Sequence, residues 1–179
     1  MNELSNTVSS VGNYNNVPTS LTSNTSAINI VNGLTLTNEA DKKNWSDGYL
    51  MYTVTLDNQT DTAYENPVVT DVIDTNLVEF VIGSVKINDV AATESQHSYN
   101  TNTHTLTVTL DNVDATSKVI ITFNVKKKFN GFFILKSFAD VKYDDDYELQ
   151  SNYVYVTMMS PFKKSSKRNF GCSTPYWRY

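Results

Sequence analysis

Strips of side chains that alternate strictly between apolar and polar set the first constraint on this chain. Leu50, Tyr52, Val54 and Leu56 are spaced by two, as are Leu106, Val108 and Leu110 with Thr105, Thr107 and Thr109 between them. Successive side chains of a strand point to opposite faces, so this period predicts strands with one dry and one wet face. Ile28 with Ile30, and Leu34 with Leu36, begin the same pattern. Further strands are expected near Pro67 to Ile73, Leu77 to Val81, Ser84 to Asn88, Val119 to Lys126, Phe132 to Tyr143 and Glu148 to Met158. Turn-forming pairs such as Asp47-Gly48, Asp57-Asn58, Ile82-Gly83 and Asn130-Gly131 punctuate them. Eight or nine short strands at this spacing predict an all-β, antiparallel sandwich of about eight strands, with a barrel as the alternative topology. No segment carries a capped apolar stripe of helical period, so helix content is expected to be very low.

A length of 179 residues suits one domain with tails. Residues 1–26 are dominated by Asn, Ser and Thr, and their scattered Leu4, Val8, Val11, Val17 and Leu21 fit no sustained period, which predicts a mobile stretch within a polar N-terminal arm of residues 1–31. Residues 32–158 form the predicted sandwich. Residues 159–179 form a tail that Pro161 separates from the last strand. Nine basic and nineteen acidic side chains precede residue 160, a net of −10, whereas the tail carries Lys163, Lys164, Lys167, Arg168 and Arg178 and no acid. An acidic body and a basic tail can attract between copies, or the tail can simply be solvated.

Cys172 is the single cysteine, which excludes an internal disulfide framework and a Cys-rich metal site. Its thiol, near bases that favour thiolate, is a candidate for an intermolecular disulfide, and Tyr176, Trp177 and Tyr179 are candidate tail contacts. Residues Ile28, Ile30 and Val31 are a candidate assembly strand that could add to an exposed sheet edge of a neighbour. The first basic residue is Lys42, so no secretory signal is visible, and no run is long and apolar enough to insert in a membrane.

The runs Asn32 to Thr37, Trp45 to Val54 and Asn66 to Asp74 follow one another in a fixed order. They are followed by Val81 to Asn88, Leu106 to Val108, Ile120 to Phe123 and Gln150 to Val154. Together they resemble the bacterial Ig-like surface-repeat family known as domain of unknown function eleven, over roughly residues 32–158. The resemblance implies an extracellular Ig-like sandwich that serves as a spacer, stalk or fibre subunit. Single-domain members without an ordinary signal resemble clostridial spore-surface and spore-appendage proteins. Many related surface domains join a Lys on the first strand to an Asn on the last through an isopeptide bond, aided by a buried acid. Here Asn38 stands at the Lys position and cannot act as the amine. Asn38 shares a face with Leu34 and Leu36, and Asn152 with Val154 and Val156, so the two form a candidate inward amide pair in place of the isopeptide. The other placement leaves Asn38 exposed, just beyond its strand.

The remaining clusters are weak as chemistry. His97 and His104 sit in a polar hairpin connection and are expected at the surface. Asp140, Asp144, Asp145, Asp146 and Glu148 offer oxygens for Ca²⁺ but lack the spacing of a calcium loop, so a solvated hairpin is expected. Asp71 and Asp74 flank a strand end and are expected to form a turn. Asn24, Asn44 and Asn58 begin Asn-x-Ser/Thr triplets of the kind that arise by chance in such a composition. Lys126, Lys127 and Lys128 are too isolated on an acidic body to bind nucleic acid. No catalytic set, metal or cofactor is expected. The resulting expectation is a non-enzymatic structural subunit of a bacterial surface or spore-associated fibre or coat, assembling as a homo-oligomer or filament, with other surface or coat proteins as further partners. An adhesive or ligand-binding Ig-like module is the alternative.

Overall fold

The computed structural model describes residues 2–23, 26–30, 33–143 and 147–160, all of them in strands, turns and connections without a helix. Three strands form the central ladder of the first sheet: β5 (Leu34–Ala40), β7 (Tyr49–Asn58) and β16 (Lys118–Lys127). They pair antiparallel in the order β16-β7-β5, with Leu36 opposite Leu56 and Val54 opposite Ile121. The short strands β11 (Lys86–Ile87) and β12 (Val90–Ala91) extend this sheet beyond β16, and β10 (Val78–Phe80) pairs with the far end of β16. The second sheet runs β13-β14-β9-β18-β19, comprising His97–Asn100, Thr105–Thr109, Val68–Val72, Ala139–Tyr143 and Tyr147–Gln150. A third, small sheet joins β17 (Phe133–Ser137), β20 (Val154–Met158) and β6 (Asn44–Trp45), the last pair running parallel. The two-residue strands β8 (Tyr64–Glu65) and β15 (Asn112–Val113) tie one end.

The alternation predicted from sequence is the burial pattern observed. Along β7 the even residues Leu50, Tyr52, Val54 and Leu56 are buried, and along β16 the odd residues Val119, Ile121, Phe123 and Val125 are. Leu106, Val108, Val141 and Ala139 face them from the second sheet in one continuous core. Burying an aliphatic or aromatic side chain of this size contributes roughly 1.5–3 kcal/mol, which makes this layer the main source of stability. The fold is an Ig-like β-sandwich.

The strand expected from Phe132 to Tyr143 is divided. It breaks at Phe138, and its halves pair with different partners, β17 with β20 and β18 with β9 and β19. The last predicted strand divides in the same way at residues 151–153. These breaks let the chain pass from one sheet to the other, and they put more strands in the molecule than the alternation suggests.

The N-terminal segment departs from its expectation as a mobile arm. β1 (Asn2–Asn6) pairs with β4 (Ser26–Ile30), and β2 (Ser9–Tyr14) pairs with β3 (Val17–Thr22), forming one long two-stranded ribbon. Asn15 and Asn16 close it with φ of 51° and 61°, the left-handed pair that a two-residue hairpin turn requires and that Asn tolerates. The register shifts by one between the two halves, so no single period runs through the apolar residues. Ile28 and Ile30 lie in β4, already paired with Leu4 and Asn2, while Val31 is outside the described residues.

Candidate functional site: a buried polar bridge between the first and last strands of the sandwich

Asn38 lies in the middle of β5 and is completely buried, on the same face as Leu34 and Leu36. Its exposed placement beyond the strand is therefore excluded. The side-chain Nδ2 donates to Ser137 Oγ at 3.0 Å, and Ser137 Oγ donates to Asp71 Oδ2 at 3.2 Å. A chain of polar groups thus crosses the core from β5 through β17 to β9. Asn38 Oδ1 and the Tyr52 hydroxyl are buried beside this chain with no hydrogen-bond partner among the described residues.

Asn152 is exposed, against the inward placement that parity with Val154 and Val156 predicted. Residues 151–153 precede β20 and are not strand, so the alternation does not carry back to them; Ser151 takes the buried position instead. Asn152 nevertheless bridges to Asn38. Its Oδ1 accepts from the Asn38 N–H at 3.0 Å and its Nδ2 donates to the Asn38 carbonyl at 2.9 Å. The outward backbone groups of β5 thereby receive the partners that a neighbouring strand would supply. The two amides meet side chain to backbone rather than side chain to side chain.

Asp71 corrects a further expectation. It is no turn residue but sits within β9, only 4% exposed, between Val69 and Ile73 on the buried face. Burial pushes its carboxyl up to about 7, with the Asp140 charge adding to this and the Ser137 hydrogen bond opposing it. Burial, and then the Asp71 charge, also push the Tyr52 phenol upward. Asp74 does form a turn, its Oδ1 accepting from the Asn76 N–H at 3.1 Å.

Lys127 makes a second tie between the beginning and end of the sandwich. Its Nζ donates to the carbonyls of Trp45 at 2.7 Å, Ser46 at 2.9 Å and Met159 at 2.6 Å, and lies 5.1 Å from the buried Trp45 ring. Lys126 pairs with Glu79 at 2.8 Å, and Lys128 donates to the Thr75 carbonyl, so each lysine of this run has an intramolecular partner. At the opposite pole Asn58, 1% exposed, donates from Nδ2 to the carbonyls of Thr62, Val113 and Asp114. Its amide nitrogen is thus committed to the fold, which closes this Asn-x-Thr triplet to a sugar.

Beside Asn152 an open groove of about 700 Å³ runs between β20 and the chain following β5, with Glu39, Lys42, Lys43, Tyr153 and Tyr155 among its walls. It assembles charges and tyrosines but no nucleophile held by a base. His97 is half-buried and bonds the Thr93 carbonyl through Nδ1 at 2.8 Å, while His104 occupies a turn with φ of 56°. Among the described residues no three His, Cys, Asp or Glu side chains are grouped to hold a metal, and no helix is long and apolar enough to cross a membrane. Asp144 to Asp146, Cys172, Tyr176, Trp177 and Tyr179 lie outside the described residues.

The sandwich is similar in fold to domains of several solved bacterial proteins. It matches the major pilin SpaD of Corynebacterium diphtheriae with a TM-score of 0.53 and 25% identity, over 68% of this chain and 35% of the pilin. BcpA, the major pilin subunit of Bacillus cereus, matches with a TM-score of 0.53 and 16% identity, over 70% of this chain and 40% of that one. BslA, a bacterial hydrophobin, matches with a TM-score of 0.51 and 12% identity, over 74% of this chain and 99% of its own. The chain thus spans less than half the length of either pilin. No protein-family model matches the chain, and neither does any curated protein.

Proposed function

We propose that this chain is a structural subunit of a bacterial surface or spore-associated fibre or coat, of the Ig-like surface-repeat kind its sequence resembles, and that it assembles through its terminal arms. The observation that carries this reading is the division of the molecule into two parts. One is a sandwich whose first and last strands are fastened by Asn38–Asn152 and by Lys127, and the other is a long ribbon whose described side chains between Thr7 and Ser23 are nearly all exposed. Fastening the terminal strands suits a module that transmits force or spacing. A two-stranded ribbon is marginal alone in water and gains from a partner. The sandwich shared with two major pilins supports the same reading.

The test is removal of residues 1–31. The truncated protein should keep the β circular dichroism of the sandwich, losing only the share of the four ribbon strands, because the described core involves none of these residues, and should lose the assembly that the full chain shows in sedimentation. Assembly unchanged by the deletion would overturn the role of the N-terminal arm. A full chain that stays monomeric and instead captures a host protein or glycan would favour the adhesive module.

A further inference from the structure

Register gathers three of the ribbon's exposed apolar side chains on one face, while Val11 lies on the other. Ser10 pairs with Leu21 and Tyr14 with Val17, and the Ser23 N–H donates to the Val8 carbonyl at 2.8 Å in continuation of the same ladder. Val8, Val17 and Leu21 therefore share a face, and they are 63%, 60% and 68% exposed. Between them Gly12 faces Thr19, and a Cβ built at Gly12 would touch nothing within 4 Å. The face is thus two apolar ridges around a hollow.

The sandwich has its own uncovered apolar face. In the β17–β20 sheet Leu135, Val156 and Met158 point inward, so Ile134 and Tyr155 point outward, 63% and 59% exposed, with Phe132 leading into the strand on the same side at 73% and Lys136 across from Tyr155 on that face, its Nζ over the Tyr153 ring. Large apolar side chains gathered in this way on a soluble domain mark a contact surface.

The ribbon is attached at the pole opposite the β17–β20 face. The ribbon joins the sandwich at Leu34, which pairs with Asn58 beside the Lys118 end of β16. Ile134 pairs with Thr157, next to Met158, Trp45 and the Lys127 end. The ten-residue β16 ladder separates the ribbon's attachment point from that face, about 30 Å at ~3.3 Å per residue. Neither face covers the other within one chain, as both are exposed in the same molecule.

We propose that the Val8, Val17 and Leu21 face of one copy's ribbon docks on the Phe132, Ile134 and Tyr155 face of the next, giving head-to-tail chains. This deepens the self-assembly reading above and rests on it. Charge favours ribbon over sandwich as the occupant. The sandwiches are acidic and repel one another, whereas residues 2–30 carry a single charged side chain, Glu3. The face is small: its arms of about seven residues are roughly 23 Å long and 10 Å wide, so docking it buries on the order of 500 Å² in all. That is well below the ~1,200 Å² at which stable pairwise complexes begin, so each contact is weak and chain growth depends on concentration. The contact is heterologous, with two different surfaces per copy, and it leaves a free end to grow.

The test uses two full-length variants at exposed positions, Leu21→Lys and Ile134→Glu, in sedimentation velocity across a concentration series. Each alone should bind itself at least about tenfold more weakly than the wild type, with unchanged circular dichroism and thermal midpoint. Mixed together they should form heterodimers, because the intact ribbon of Ile134→Glu meets the intact face of Leu21→Lys. Wild-type assembly that survives either substitution, or variants that fail to complement on mixing, would overturn this docking while leaving self-assembly standing. A monomeric wild type would overturn both.

Discussion

Replacing Asp71 reads out the buried bridge directly. Its carboxyl titrates near 3.8 when unfolded and near 7 in the fold. Between those values the folded protein keeps a proton that the unfolded chain has released, so stability falls as pH rises through this window and levels off above it. Three pH units at ~1.4 kcal/mol each give a loss of about 4 kcal/mol, a large share of a domain's net stability. Asp71→Asn keeps the size and an oxygen to accept from Ser137 but carries no charge. It should therefore be more stable than the wild type at pH 8 by about 2–4 kcal/mol, and the gain should shrink by more than half at pH 5. Urea unfolding followed by Trp45 fluorescence at the two pH values measures this. A variant less stable than the wild type at pH 8, or a gain independent of pH, would refute the view that a desolvated carboxyl sits uncompensated in the core.

Three further outcomes follow from the ties around the core. Lys127→Met keeps an apolar stem beside Trp45 but takes a donor from the Ser46 and Met159 carbonyls, the Trp45 carbonyl keeping the Met159 N–H at 2.9 Å, and should lower unfolding free energy by about 2–3 kcal/mol in urea titration. Asn58→Asp turns a donor to three carbonyls into an acceptor facing them, so it should cost more than Asn58→Ala, itself about 1–3 kcal/mol, with thermal melts giving the order. Intact mass should equal the sequence mass with no loss of ammonia, because Asn152 holds backbone rather than an amine. A deficit of one ammonia would instead assign a cross-link to a lysine near it, Lys42 or Lys43.

The sandwich was legible wherever alternation ran unbroken, as in β7 and β16, because one buried face writes period two directly into the residues. Asn38 was legible on the same ground. Asn152 was not, since the three residues before β20 leave the strand and parity has no meaning across a break. Asp71 carried a usable signal, its spacing of two from Val69 and Ile73, but an acid beside Asp74 reads as turn chemistry. Ser137 and Lys127 gave none, because their partners lie far away in sequence: 66 residues for Ser137 and Asp71, 82 for Lys127 and Trp45. The ribbon escaped because its register shift scrambles the period, although Asn15-Asn16 was a hairpin signal in plain view.

Negative-stain electron microscopy of the purified full-length protein, with and without reductant, weighs the central claim that this fold works by linking copies of itself. Fibres or ladders that grow with protein concentration are the predicted result. Single, separate particles at every concentration, in both conditions, would contradict it.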